Sequence, residues 1–317
     1  MYRTLSRLSR SISLCPDLSH SFIYLVILNF LQQSCHKMDG RRNRGSLLIL
    51  IFLFDHLMKL GGWTHIPPIT LLTTLGHVAI HYEDYFLPRP IFPSVEKACI
   101  SVYHVWTHNQ WQRLLYGAFC HFNDMHLYYN MVSFLSKGVM LERKLTSEFF
   151  AFMLIVFTFL SGALLVGFNV LLMIVTGNAQ YELTCAVGFS AVIFAIKVVL
   201  QDQASPHQRQ YVFGIPIPLR LMYWSELFII QMVAPQSSFI GHLSGIVVGL
   251  LYTKGPLKPI MYAIFPPDER QNRQPQDEQQ EYDTGYSQGY GPQSYGSPDI
   301  SHKIFGFSFE GIVNANQ

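Results

Sequence analysis

The stretch FIGHLSGIVVGLLY (Phe239–Tyr252) decides how this chain folds. It is apolar almost throughout, and Gly241, Gly245 and Gly249 recur at every fourth position. Residues four apart lie on one face of a helix, and a stripe of small residues lets two membrane helices approach closely. His242 stands inside the same run. We therefore predict a membrane helix that packs through these glycines and carries an imidazole near its first turn.

The composition extends this interpretation to the whole chain. Of the 317 residues, 50% are hydrophobic and 13% are charged, whereas a soluble domain has about 25% charged residues. The mean hydropathy of +0.21 agrees with an integral membrane protein. The formal net charge of +2 is too small to indicate a nucleic-acid partner. We expect the chain to be surrounded by a lipid bilayer and to bind no nucleic acid.

Six apolar segments predict an all-α fold, a polytopic bundle of six transmembrane helices. In chain order, the predicted crossings are Ser46–Phe86 (chiefly its second half), His126–Leu141, Phe149–Val175, Thr184–Leu200, Leu219–Val233 and Phe239–Tyr252. Several are shorter or more polar than the ~20 apolar residues that an independent span needs. Their polar side chains must therefore face the interior of the bundle.

The membrane domain is predicted to occupy residues 46–258. Residues 1–45 are interpreted as an N-terminal extension that is not part of the native chain, with Met38 as the alternative start, because their one apolar run has about ten residues and is too short to span a membrane. Residues 259–317 are rich in Gln, Gly, Pro, Tyr and Ser. Such a segment cannot bury enough apolar surface to fold, so we predict a disordered cytoplasmic tail.

Basic residues predict the orientation of the bundle. They lie before crossing one, between two and three, between four and five, and after six: Arg41, Arg42, Arg44, Arg143, Lys144, Arg209, Arg220, Lys254 and Lys258. With six crossings these positions all fall on one side, which the positive-inside rule makes cytoplasmic. Both termini are then cytoplasmic, and crossings two, four and six begin at the opposite, lumenal or outer face.

Polar residues stand near the start of each of these three crossings. A serine hydroxyl becomes a nucleophile when a neighbouring imidazole takes its proton, so Ser190, about two turns into crossing four, and His242 are a candidate catalytic pair. Asn130 and His126 share one face of crossing two and are candidate oxyanion donors, together with the Ser190 N–H. Taken alone, each residue fits ordinary helix packing or an interhelical hydrogen bond. The prediction depends on their coincidence at one face.

Three motifs resemble those of a known family. HLYYN (His126–Asn130), GFSAVIFA (Gly188–Ala195) and GHLSGIVVGLLY (Gly241–Tyr252) are similar to the HxxxN, GxSx and GHxxGxxxG motifs of the rhomboid intramembrane serine proteases. The resemblance covers residues 66–258. It implies the rhomboid fold, with Ser190 as the nucleophile and His242 as the base of a dyad that has no third carboxylate.

The resemblance also implies a biological setting. Its details are most similar to the family members of the endoplasmic reticulum, which implies that location and a role in quality control there. The implied substrates are membrane proteins, cleaved in or near their transmembrane segments, without a cofactor or a metal ion. A link between the tail and the machinery of endoplasmic-reticulum-associated degradation is a further expectation.

Two other functions fit parts of the sequence. A catalytically silent membrane adaptor like the derlins, which recognises clients for retrotranslocation, would share the bundle and the IPPIT segment (Ile66–Thr70), but derlins lack the serine–histidine pair that this chain has. A metal carrier would need ligands at regular spacing, and the scattered histidines do not provide it: His77, His81, His104, His108 and His121.

The five cysteines have neither zinc-type nor CxxC spacing. They therefore define no metal site and no disulfide framework. A pair among Cys99, Cys120 and Cys185 stays open if these positions face an oxidising lumen.

Overall fold

A computed structural model describes residues 48–205, 207–212 and 215–266. The helices, in chain order, are α1 (Leu48–Lys59), α2 (Pro68–His81), α3 (Glu83–Phe86), α4 (Val95–Ala98), α5 (Arg113–Phe119), α6 (Asp124–Glu142), α7 (Ser147–Thr176), α8 (Gln180–Leu183), α9 (Ser190–Asp202), α10 (Met222–Val233), α11 (Phe239–Thr253) and α12 (Leu257–Ile264). Short 3-10 turns lie at Trp63–His65 and Leu219–Leu221, and a π-helical turn lies at Tyr103–Thr107. The predicted all-α class is therefore correct for the main body of the fold.

One small sheet was not predicted. Strands β1 (Arg209–Val212) and β2 (Ile215–Pro218) form an antiparallel hairpin between α9 and α10, with Arg209 paired to Pro218 at its open end. The Nε of Arg220 donates a hydrogen bond to the Ala204 carbonyl at 2.7 Å. This bond closes the base of the loop that carries the hairpin.

Helix α7 is the one helix in the described ranges that is both long and apolar enough to cross a membrane by itself. It has 30 residues, and an 18-residue window within it has a mean hydropathy of 2.5. Helix α11 is apolar but has 15 residues. The other five predicted crossings are not confirmed by length and composition, and they stay predictions.

The core is mostly apolar, but two features of the side-chain distribution differ from those of a soluble domain. Polar side chains are buried between the helices: Thr74, His77, Asn130, Lys137, Asn169, Lys197, Gln201, His242 and Ser244. Large apolar side chains are exposed on α1, α7 and α10: Ile51, Phe52, Phe54, Met58, Ile155, Phe159, Leu171, Ile174, Val175, Phe228, Met232 and Val233. Polar groups inside and apolar groups outside are typical of a bundle whose solvent is lipid.

Helices α6, α9 and α11 run in the same direction. Beyond their C-terminal ends, the Nζ of Lys144 donates to the Gln203 side chain at 2.7 Å, and Lys254 forms an ion pair with Asp202 at 2.5 Å. Their N-terminal ends meet around Gly188, at the opposite end of the bundle. The polar residues predicted near the starts of crossings two, four and six therefore lie at the same end of the bundle.

Helix α2 runs antiparallel to α6 because buried carboxylates connect their ends. Glu142, at the end of α6, accepts hydrogen bonds from the backbone N–H groups of Ile69 and Thr70 at 2.9 and 2.7 Å. These N–H groups belong to the first turn of α2, which has no carbonyl partners for them. At the other end, His81 contacts Asp124 at 2.8 Å.

The structure corrects three boundaries. The first predicted crossing, Ser46–Phe86, divides into α1 and α2, although residues 46–47 lie outside the described part. Ser190 is the first residue of its helix, not two turns inside it. The predicted tail begins with α12, which packs Met261 into the main core and places the Tyr262 ring 5.1 Å from Phe149. The remaining tail from residue 267, and the extension at residues 1–45, lie outside the described residues.

Candidate active site

The hydroxyl group of Ser190 has no backbone acceptor within its own helix. Gly188 has φ 113°, a left-handed conformation that ends any helical path before it, so α9 starts at Ser190. Thr158, Ser161 and Ser244 donate to carbonyls three or four residues earlier in their own helices, at 2.6–2.7 Å. Ser190 has no helical carbonyl at that spacing. Within the described residues, its Oγ makes no hydrogen bond.

His242 lies in the first turn of α11, which Ser238 caps by accepting a hydrogen bond from the Gly241 N–H at 3.0 Å. The imidazole is buried, and its centroid lies 4.9 Å from the ring of Phe194, one turn after Ser190 in α9. Its Nδ1 has no hydrogen-bond partner among the described residues. The serine and the imidazole therefore lie on facing surfaces of α9 and α11, but they are not hydrogen-bonded to each other.

The glycine stripe of α11 sets the distance between these two helices. A β-carbon at Gly245 would overlap the backbone carbonyl of Ala191, and one at Gly249 would lie 2.8 Å from the carbonyl oxygen of Ala195. Gly241 has a different environment, since its nearest neighbour is the side chain of the capping Ser238. Two of the three predicted packing glycines thus lie in the contact with α9.

His126 packs directly on the segment that leads to Ser190. A β-carbon at Gly188 would lie 2.8 Å from the His126 Nε2, so only glycine fits beside this ring. The Phe122 N–H donates to the His126 Nδ1 at 3.4 Å, which leaves the ring proton of the neutral imidazole on Nε2. His126 therefore presents an N–H donor beside Gly188, two residues before the serine.

Asn130 lies one turn further along α6 and uses part of its amide within the helix. Its Nδ2 donates to the His126 carbonyl at 2.8 Å, and its buried Oδ1 has no partner among the described residues. The second proton on Nδ2 is available to another acceptor. Of the two predicted oxyanion donors, the His126 ring is thus the one that lies against the serine segment.

A small cavity adjoins Ser190. Its volume is about 40 Å³, and its polar lining consists of hydroxyl groups: Thr158, Ser161, Ser190, Ser238 and Ser244. About 10–15 Å³ of such space is enough for one water molecule. Because the helical hydroxyls donate to their own backbones, their oxygens are left to accept hydrogen bonds from water. The cavity can therefore hold water beside the serine.

The histidines that sequence analysis considered for a metal carrier fall into two groups. His77, His81 and His121 are buried together, with ring centroids 5.4 and 6.4 Å from His121. His104 and His108 lie apart from them, beside Tyr103. Burial, followed by the neighbouring imidazoles, lowers the pKa of His121 well below its usual value, so this ring is neutral at pH 7. No group of three or more ligands suited to a metal ion occurs among the described residues.

These features are a helical bundle with lipid-type surfaces, a serine at the first position of one helix and a histidine on the facing helix, and together they point to a class of helical membrane proteins. Residues 108–258 match the family model described as the Rhomboid domain. The chain belongs to the rhomboid family.

Curated relatives extend the match beyond this domain. Rhomboid-related protein 4 of Mus musculus is 41% identical over 223 residues, which are 70% of this chain and 67% of the relative. The Homo sapiens protein of the same name is 39% identical over 224 residues, 70% of this chain and 68% of the relative. Rhomboid-like protein 14, mitochondrial, of Arabidopsis thaliana is 35% identical over 219 residues, 68% of this chain and 64% of the relative. No solved structure matches the chain.

Proposed function

We propose that this protein is an intramembrane serine protease that hydrolyses peptide bonds in or near transmembrane segments of membrane proteins. The observation that carries the proposal is the uncommitted Oγ of Ser190 at the start of α9, opposite the His242 imidazole. Serine in a membrane helix ordinarily donates to the backbone carbonyl one turn earlier. A hydroxyl that is freed from this bond and faces an imidazole has the arrangement that nucleophilic catalysis requires.

The reaction follows from these positions. His242 takes the hydroxyl proton while the Ser190 Oγ attacks the carbonyl carbon of the substrate, and it then protonates the leaving amine. The oxyanion of the tetrahedral intermediate accepts hydrogen bonds from the Ser190 N–H, at the positive end of α9, and from His126 and Asn130. A water molecule from the adjoining cavity hydrolyses the acyl-enzyme, with His242 as its base. No cofactor takes part in these steps.

We place the protein in the membrane of the endoplasmic reticulum, with the Ser190 end lumenal and both termini cytoplasmic. The disulfide between Cys99 and Cys185, at the Ser190 end, supports this orientation because disulfides persist in oxidising compartments. The basic side chains Arg143, Lys144 and Lys254 lie at the opposite end, in agreement with the positive-inside rule. Quality control of membrane proteins, with the tail as a link to the degradation machinery, is the role proposed with this location.

The alternative function is that of a catalytically silent adaptor that binds membrane-protein clients. One observation favours it, since the side chains of Ser190 and His242 are not hydrogen-bonded to each other. An adaptor needs the bundle and its lipid-facing surface but not a reactive serine.

Labelling with a fluorescent fluorophosphonate distinguishes the two functions. The full chain in detergent should be labelled, whereas the Ser190→Ala variant should not. The labelling rate of the His242→Ala variant should be lower by about 100-fold or more. The matched control is Ser225→Ala, which removes a hydroxyl that donates to Met222 at 2.8 Å and should keep the label. A folded wild-type protein that takes no label but retains bound membrane-protein clients would favour the adaptor.

A further inference from the structure

Residues Cys185–Phe189, here called the approach segment, lead directly into α9 and its first residue. Backbone hydrogen bonds fix the middle of this segment. Ala186 and Ile100 exchange two of them, at 2.9 and 3.0 Å, and the Gly188 N–H donates to the Gly117 carbonyl at 2.8 Å. The approach segment is thus attached to Ile100 and to Gly117 of α5, and not only to the helix that follows it.

The disulfide between Cys99 and Cys185 fixes the first residue of the approach segment. The Cys99 side of the bond is firmly anchored, because Arg113 donates to the carbonyls of Cys99 and Glu96 at 3.0 and 3.2 Å. The chain on the Cys185 side is not anchored in the same way, since α8, just upstream, contributes no buried residue. The disulfide therefore holds the start of the approach segment against the anchored backbone at Cys99.

The position of the approach segment determines the geometry around Ser190. Gly188 lies against the His126 ring with no room for a β-carbon, so a shift of the segment alters the spacing between the serine and this donor. We infer that the Cys99–Cys185 disulfide positions Ser190 for reaction, so that oxidation of this pair is required for full reactivity. The inference rests on the proposed function of Ser190 as a nucleophile.

The two sulfur atoms of the disulfide differ in their exposure to solvent. Cys99 is buried, whereas Cys185 is exposed to solvent. A thiolate of dithiothreitol can attack the Cys185 sulfur, which breaks the S–S bond and releases Cys99 as a thiolate that takes up a proton. The second thiol of dithiothreitol then displaces Cys185. The protein gains two electrons and two protons and becomes a dithiol, while dithiothreitol becomes a cyclic disulfide.

Cys120 is a third sulfur in the same region and must be separated from the pair. It is buried in an apolar cluster with Cys99 and Val187, but it is not part of the disulfide. Replacing Cys120, together with Cys15 and Cys35, by alanine leaves the disulfide as the only redox-active pair. All measurements are made on the full chain with these three replacements.

The experiment compares the rate of fluorophosphonate labelling of Ser190 before and after treatment with dithiothreitol. We expect the rate to fall at least about tenfold, because displacements of about 1 Å at a reacting group cost up to about 100-fold. Reoxidation with oxidised glutathione should restore it. The matched control also carries Cys99→Ala and Cys185→Ala. It should react at the low rate under both conditions, which excludes an effect of the reductant on the probe or the detergent.

Thiol titration and the thermal unfolding midpoint are measured on the same samples. If two thiols are titrated after reduction and the labelling rate is the same before and after it, the positioning role of the disulfide would be overturned and the proposed function would stay intact. A loss of rate that accompanies loss of the unfolding transition and is not reversed by reoxidation would also overturn it, in favour of a purely structural bond. An oxidised, folded protein that takes no label would contradict the proposed function and, with it, this inference.

Discussion

The hydroxyl of Ser190 is free because of a glycine two residues earlier. Gly188 adopts φ 113°, where an L side chain is strained, and the His126 ring occupies the place of its missing β-carbon. A helix that continued through this position would give Ser190 a carbonyl acceptor four residues back, and the hydroxyl would be used for it. The proposed reactivity of the serine thus depends on a backbone conformation and not on the serine alone.

We predict that Gly188→Ala lowers the rate of fluorophosphonate labelling at least about tenfold and destabilises the fold by about 1–3 kcal/mol, the cost of a strained backbone. The matched control is Gly167→Ala in α7, where a β-carbon meets nothing within 4 Å. That variant should label normally and unfold at the same or a higher temperature, because alanine favours a helix. Equal labelling by both variants would contradict the role given to Gly188.

At the scale of the helices, α9 is held on two sides by different means. Helix α11 contacts it backbone to backbone through Gly245 and Gly249. Helix α10 buries few residues, and an ion pair between Lys197 of α9 and Glu226 of α10 connects the two helices. The Lys197 ammonium also lies 4.5 Å from the centroid of the Phe194 ring, which packs on His242. The ion pair is therefore one contact away from the candidate base.

We predict that Lys197→Met destabilises the protein by about 3 kcal/mol, because it leaves the Glu226 carboxylate without its cation in a largely buried position. The double variant Lys197→Met with Glu226→Leu should recover most of this loss, since it removes both charges of the ion pair. The measurement is unfolding in mixed micelles.

The exposed ion pair of α1 is the control for this series. Its Lys59 and Asp55 side chains are 71% and 55% exposed, so Lys59→Met should cost no more than about 1 kcal/mol. A double variant as unstable as the Lys197 single variant would show that the loss comes from packing and not from an unpaired charge.

Helix boundaries could be predicted from the sequence where the residues at the ends of an apolar run mark where the helix begins and ends. The predicted segments Phe149–Val175 and Phe239–Tyr252 differ from α7 and α11 by at most two residues at either end. The start of α9 could not be predicted, because the conformation of Gly188 depends on a ring from another helix. Helix α12 was missed because its sequence continues into a polar tail, and contacts with the core, such as that of Met261, stabilise it.

The site residues could be chosen from the sequence, but their contacts could not. Residue type and the common direction of three helices were enough to select Ser190, His242, Asn130 and His126. The stacking of His242 on Phe194 follows from side-chain packing, which no spacing pattern encodes. The same is true of the pairing between Cys99 and Cys185, because three cysteines allowed three pairings and only their distances in the fold decide among them.

For the whole molecule, one end of the bundle carries the candidate site and the disulfide, and the other carries basic side chains. We predict that this polarity fixes the orientation in the membrane. In sealed microsomes, Ala179→Cys, in the exposed turn between α7 and α8, should be protected from an impermeant maleimide. Ser205→Cys, exposed beyond α9, should react.

Both variants are made in a chain whose Cys15, Cys35 and Cys120 are replaced by alanine, and detergent is added afterwards to confirm that each new thiol is reactive. The reverse pattern of protection would contradict the proposed orientation. It would also place the disulfide on the reducing side of the membrane.

The lengths of the helices have a consequence for the surrounding lipid. At 1.5 Å per residue, the 30 residues of α7 extend over about 45 Å, whereas the 12 residues of α10 extend over about 18 Å. The hydrocarbon layer of a bilayer is about 30 Å thick, so α7 must tilt or protrude. If α10 crosses the membrane as the sequence predicts, lipid beside its apolar outer face must thin to match it. This hydrophobic mismatch favours a thin bilayer, and a transmembrane helix that diffuses toward α10 would lose part of its hydrocarbon cover before it touches the protein.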